Sequence, residues 1–174
     1  MNDRHFDELA TRFAEKIYGG AKGAIRLAVL QADLAEALPD RPLRILDIGA
    51  GLGHMALWLA QRGHHLTLAE PAAPMLDSAR ARFAEAGQSA TFIQAPWQDL
   101  LGQLTEPYDL VLCHAVLEWL AEPESILPVL HQLTALRGGC HWPSTTATRW
   151  FIATCSRAIS ANCAATGWKV KSRA

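Results

Sequence analysis

Apolar residues recur at helical spacing from the start of the chain: Phe6, Leu9, Phe13 and Ile17 in "FDELATRFAEKIY", then Ile25, Val29, Leu34 and Leu38 in "AIRLAVLQADLAEAL". A period near 3.6 predicts two opening helices. Two prolines in "LPDRPL" end that pattern, and "LRILDIG" follows as a short apolar run closed by Asp47 and Gly49, the outline of a buried strand. "HMALWLAQRG" returns to helix with Gly63 as its stop, and "HHLTLAEP" reads as a second strand closed by Pro71. "APMLDSARARFAEAG" is a further amphipathic helix, "ATFIQAP" a third strand, and "YDLVLCHAVLEWL" a fourth, apolar on both faces in its middle. "EPESILPVLHQLTALRGG" then predicts a helix kinked at Pro128 and ending at the glycine pair. Strands and helices alternating in this order require right-handed crossovers between parallel strands. The expected fold is therefore α/β: a Rossmann-like, doubly wound, mostly parallel sheet.

Composition agrees with a folded domain: 174 residues, 50% hydrophobic and 19% charged. No apolar run approaches the roughly 20 residues of a membrane span, and the opening "MNDRHFDELATRF" lacks an apolar signal core, so a cytoplasmic protein is expected. The four cysteines show no CxxC or zinc-type Cys/His spacing, which argues against a metal site. Charge changes the picture more. Residues 1–136 carry ten basic and seventeen acidic residues, whereas residues 137–174 carry six basic and no acidic ones, in a tail dense in Trp and Cys. The six charges are scattered, unlike a nucleic-acid-binding arm. The expected organisation is a core over residues 1–136, with the two opening helices, and an atypical tail over 137–174.

Candidate chemistry concentrates at the turn "LDIGAGLG", where Gly49, Gly51 and Gly53 would let backbone approach a ligand at the start of a helix. The dinucleotide fingerprint G-x-G-x-x-G requires a third glycine at position 54, and His54 stands there. A nicotinamide-dependent oxidoreductase is thereby disfavoured. Asp47 supplies a charge suited to an ammonium group. Glu70, at the end of the second strand, is placed to take two ribose hydroxyls. Blander roles compete: a helix cap for Asp47, a solvated strand-end carboxylate for Glu70. After the third strand, Trp97 and Gln98 could stack on and bracket a base, or Trp97 could be local packing, and Asp99 reads as a helix or turn cap. His114 would emerge at the carboxyl-end crevice or play a structural part, with Glu118 and Trp119 beyond it.

Taken together, "NDRHFDELATRFAEKIYGGAKGAIR", "LDIGAGLG", "LAEPAAPMLDSA" and "CHAVLEWLAEPESIL" resemble the bacterial tRNA 5-carboxymethoxyuridine methyltransferases, a family of class I S-adenosylmethionine-dependent enzymes, over residues 1 to about 136. The glycine turn is generic to methyltransferases; "IYGGAKGAIR" and "HAVLEW" are more particular to this family. The resemblance implies methyl transfer from S-adenosylmethionine to the carboxylate of 5-carboxymethoxyuridine at the tRNA wobble position, in the anticodon region, giving a methyl ester. It implies donor contacts from Arg26, Gly49, Ala50, Glu70, Trp97, Gln98 and His114, beside Asp47 and Gly51 of the turn. Glu70 stands where relatives have Asp, and Ala50 where they have Gly. No general base is expected, because a carboxylate is ionised at neutral pH. Basic surface for tRNA could come from Arg4, Arg12, Lys16, Lys22 and Arg26, whose ordinary role is a solvated helix face. A small-molecule methyltransferase of the same fold and a non-catalytic remnant are the alternatives.

The tail departs from that family. Read from the third base of the Cys140 codon, the same nucleotides can encode "SLALYNRHSLVYRNLFAGNFRKLR", which has an apolar strand and resembles the family's continuation. The expectation is that residues from about Cys140 onward are translated out of frame, that the sheet is truncated after the fourth strand and its helix, and that activity is weak or absent. Sequencing the coding DNA checks this: stops in the alternate frame contradict it.

Overall fold

The computed structural model describes residues 20–114, 116–143 and 150–154. The first of the two expected helices, around Phe6 to Ile17, lies outside them. The second is α1 (Ala21–Ala37), which buries Gly23, Leu30 and Leu34 on one side and leaves Ile25 and Val29 exposed. The chain then runs through β1 (Arg44–Ile48), α2 (His54–Ala60), β2 (His65–Ala69), α3 (Ala73–Glu85) and β3 (Thr91–Ile93). A 3-10 turn at Trp97–Asp99 leads into the short α4 (Leu100–Gln103) and then β4 (Tyr108–Leu112). After 3-10 turns at Leu117–Trp119 and Pro123–Ile126 come α5 (Leu127–Leu133), β5 (Thr134–Pro143) and β6 (Trp150–Thr154).

The strands form one sheet in the order β3-β2-β1-β4-β5-β6, parallel except for the antiparallel β6. Strand alternation sends successive side chains to opposite faces. Ile45, Leu66, Leu68, Leu110 and Leu112 pack with Leu30 and Leu34 of α1, Leu59 of α2 and Phe83 of α3. Leu46, Ile48, Ala69 and Val111 pack on the other face with Leu100 of α4 and Leu130 and Leu133 of α5. Apolar layers on both faces are what a doubly wound sheet demands, and the expected fold class is borne out. No helix among the described residues is long and apolar enough to cross a membrane.

Four details differ from the expectation. The sheet does not end at β4: β5 pairs with it through Leu110–Gly139, Val111–Cys140 and Leu112–His141, and β6 pairs with β5. Ladder bonds come from main-chain N–H and C=O groups, so "LRGGCHW" can serve as a strand without an alternating apolar pattern. β5 also crosses the 136/137 boundary. Second, "TALRGG" is strand rather than helix; the helix stops at Leu133, and Thr134 Oγ1 donates back to Leu130 O (2.6 Å). Third, Pro128 does not kink α5, because it lies in the first turn, where no N–H partner is needed. Fourth, β4 ends at Leu112, so His114 and Val116 lie beyond the strand, and Leu117–Trp119 forms a 3-10 turn.

β1 and β4 are held together at their entry end by Asp109, whose Oδ2 accepts from Arg44 N (2.9 Å) and whose Oδ1 accepts from Arg41 Nη2 (3.2 Å). Burial alone would raise this carboxyl, but the Arg44 N–H bond and the Arg41 and Arg44 charges outweigh it and hold it below its ordinary value. The opposite end of the same two strands is where the chemistry-bearing residues gather.

Candidate functional site

In a parallel sheet all strands end on one edge, and ligands bind where strand order reverses. Here β1 has β2 on one side and β4 on the other, and the chain leaves β1 at this switch point through Gly49 to Gly53. Asp47 is the penultimate residue of β1, and Glu70 directly follows β2.

The turn is built from inside. Gly49 N–H and Ala50 N–H both donate to Ala69 O (2.8 and 3.2 Å), Gly51 N–H donates to Glu70 Oε2 (2.9 Å), and Gly53 N–H donates to Ala50 O (3.0 Å). Ala72 N–H completes the set by donating to Glu70 Oε1 (3.0 Å). Gly49 has φ 66°, and a Cβ there would drive into Cγ2 of Val116, so only glycine fits. At Gly53 (φ 72°) a Cβ would meet Ala79 Cβ at 3.0 Å and Leu68 Cδ2 at 3.2 Å, which is how α2 and α3 come close to β2. Arg82 Nε donates to Leu52 O (3.1 Å) and ties α3 to the turn.

Four N–H groups of the turn are therefore already used. A pyrophosphate cradle depends on such N–H groups pointing at the ligand, so this turn is not built as one. What it presents is negative charge. Asp47 is only 3% exposed and Glu70 only 6%. Burial, and then the charge of Glu70, push the Asp47 carboxyl up to about 7. The charge of an incoming cation would offset both, which is the donor-set chemistry expected of a site for an ammonium or sulfonium compound. The blander roles fail on geometry: the N-cap of α2 is Gly53 with no side-chain cap bond, and Glu70 is buried and bonded rather than solvated.

The other candidate residues lie on elements reaching the same edge. Trp97, after β3, is half-buried and packs against the cluster of Leu46, Ile48 and Ala69, while Gln98 beside it is exposed. Asp99 occupies the N-cap position of α4 but makes no side-chain cap bond. His114 follows β4 by two residues and is half-buried. Arg26 is half-buried on α1. Sequence reasoning missed three participants: Val116, which closes over Gly49; Arg82; and His54, whose imidazole burial and the Arg82 charge push below its ordinary value. The absence of a glycine at position 54 was visible, but nothing local signalled its environment.

Comparison with known proteins fits this arrangement. A family model described as a methyltransferase domain matches residues 45–138, from within β1 to within β5. The tRNA 5-carboxymethoxyuridine methyltransferase of Escherichia coli (strain K12) is 42% identical over 135 residues, covering 75% of this chain and 52% of that protein. The ubiquinone biosynthesis O-methyltransferase of Xylella fastidiosa is 27% identical over 128 residues, covering 74% of this chain and 48% of that protein. The chain thus spans about half the length of the curated relatives it matches. Among solved structures, the magnesium protoporphyrin IX methyltransferase of Synechocystis PCC 6803 superposes with a TM-score of 0.65 at 21% identity, covering 88% of this chain and 77% of that one. With the family model matching more than half of its length, the chain belongs to the methyltransferase-domain family.

Proposed function

We propose that this chain binds S-adenosylmethionine where β1 and β2 end and is the donor-binding part of an enzyme that methylates the carboxylate of 5-carboxymethoxyuridine at the wobble position of tRNA, with transfer weak or absent in this chain itself. The observation that carries the donor assignment is the buried Asp47 and Glu70 pair around a turn whose N–H groups are already bonded. The tRNA assignment is supported by the 42% identity to the Escherichia coli enzyme. When bound, S-adenosylmethionine supplies an electrophilic methyl group on a cationic sulfur.

The residues divide the work. Asp47 meets the ammonium. Glu70, fixed by Gly51 N–H and Ala72 N–H, receives the ribose diol, since each carboxylate oxygen can accept more than one hydrogen bond. Gly49, Ala50 and Gly51 contribute close backbone approach rather than N–H donation. Trp97 and Gln98 bracket the adenine, and Arg26 and His114 contact the donor from α1 and from the end of β4. No side chain is asked to remove a proton, because the acceptor carboxylate is already ionised. Alignment of nucleophile, methyl and sulfur can lower a barrier by up to roughly 7 to 11 kcal/mol in favourable intramolecular cases, so positioning suffices.

The test is mass spectrometry of wobble nucleosides from Escherichia coli lacking its own enzyme and expressing either this chain or its frame-restored form. The methyl ester is expected with the restored form and weakly or not at all with this chain. Absence of the ester from both, while both bind the donor, overturns the tRNA assignment. It would favour the second reading, a small-molecule O-methyltransferase, which the likeness to the Xylella fastidiosa enzyme supports.

A further inference from the structure

The acid pair raises a question of bookkeeping for protons. Two carboxylates at the ends of adjacent strands, 3% and 6% exposed, cannot both be ionised cheaply. The geometry separates them. Both oxygens of Glu70 accept backbone N–H bonds, from Gly51 and Ala72, and such donors favour the charged form. Asp47, on the neighbouring strand, is raised first by its burial and then by the negative charge of Glu70. The other titratable groups around the turn are His54 of α2, whose imidazole burial and then the Arg82 charge push below its ordinary value, Arg82 itself on α3, and His114 beyond β4.

We propose that in the ligand-free protein the pair holds one proton, on Asp47, and that the ammonium of an incoming donor displaces it, so that uptake of the cation is coupled to release of one proton to solvent. The exchange is local to Asp47: the ammonium of the ligand's zwitterionic amino-acid end takes the place of one proton beside the carboxylate, the ligand's own carboxylate lies away from the acid pair, and Glu70 stays ionised throughout. Asp47 is then a charge-selecting residue, and the site distinguishes ligands by whether they bring an ammonium. The inference rests on the S-adenosylmethionine reading above.

The carboxyl near 7 sets the range. Release should be close to one proton per site at pH 6 and fall to about a tenth of a proton at pH 8. Ligand-free stability follows with a definite sign. The folded value, about 7, lies above the ordinary 3.8, so between those values the native state binds more protons than the unfolded chain, and stability falls as pH rises through that window.

Calorimetric titration of the whole chain with S-adenosylhomocysteine at pH 6, in phosphate and in a buffer of large ionisation enthalpy, reads the proton directly. The expected result is a buffer-dependent heat equivalent to about one proton, a much smaller one at pH 8, and none with 5'-methylthioadenosine, which lacks the ammonium. Asp47→Asn should bind more weakly, with whatever heat it gives independent of the buffer, and in the ligand-free protein should flatten the fall in melting temperature between pH 5 and 8. Binding without buffer dependence at pH 6 overturns the proton coupling and leaves the donor reading standing. Absence of any binding overturns both. A ligand-free melting profile that Asp47→Asn does not flatten overturns the placement of the proton.

Discussion

Replacing Glu70 with Ala is expected to lower both stability and donor affinity by large amounts. The substitution leaves Gly51 N–H and Ala72 N–H without their acceptor inside a buried turn. Each orphaned donor costs about 1 to 3 kcal/mol. Part of this is offset because Asp47 no longer faces a second negative charge, so the net loss should be about 2 to 4 kcal/mol, or roughly 5 to 15 °C in melting temperature for a domain of this size. Donor binding should weaken by on the order of 100-fold, equivalent to about 2.7 kcal/mol, since the diol loses its acceptor and the turn its anchor. Glu70→Gln should fall between, because its amide keeps one acceptor but sets N–H groups against the other backbone donor. Thermal melts and donor titrations on the three proteins measure this; Glu70→Ala melting and binding like the parent would remove Glu70 from the site.

Gly49→Ala is the second large effect, and it acts on the fold of the turn rather than on its charge. A Cβ at φ 66° costs about 1 to 2 kcal/mol, and its collision with Val116 Cγ2 adds about 1 to 3 kcal/mol of overpacking. The total should reach about 2 to 5 kcal/mol and displace the turn against the end of β4. Val116→Ala supplies the discriminating control. It deletes Cγ2 and leaves Val116 Cβ, 3.7 Å from the new methyl, at ordinary contact distance. The double variant should therefore be more stable than Gly49→Ala alone, retaining only the backbone strain. Additive losses in the two single variants, measured by denaturant unfolding, would show that Val116 does not close the turn.

Much of this architecture is legible in the sequence because its signals are local. "LRILDIG", "HHLTLAEP" and "ATFIQAP" mark β1, β2 and β3 by short apolar runs ended by Asp, Glu or Pro, and the structure has strands at Arg44–Ile48, His65–Ala69 and Thr91–Ile93. β5 is not legible. In "TALRGG" the apolar spacing of α5 continues into a glycine pair that imitates a helix stop, and what makes it a strand is the neighbouring ladder of β4. Side chains cannot announce a pairing that main-chain groups make.

The site divides the same way. Asp47, Glu70 and the glycine turn could be picked out by residue type and spacing. Their electrostatics could not, because the raised Asp47 carboxyl depends on burial and on β1 and β2 lying side by side. The consumption of the turn's N–H groups by Ala69 O and Glu70 is likewise a product of the folded contacts, and it weighs more heavily against a dinucleotide than His54 does alone. Val116 and Arg82 enter from distant segments that no local pattern connects to the turn.

The central claim is that the crevice where β1 and β2 end is a cation-accepting donor site. Titrating the purified chain with S-adenosylmethionine and, separately, with NAD tests it most directly. One saturable S-adenosylmethionine site per chain and no saturable NAD binding is the predicted result; saturable NAD binding with no response to S-adenosylmethionine would contradict the account.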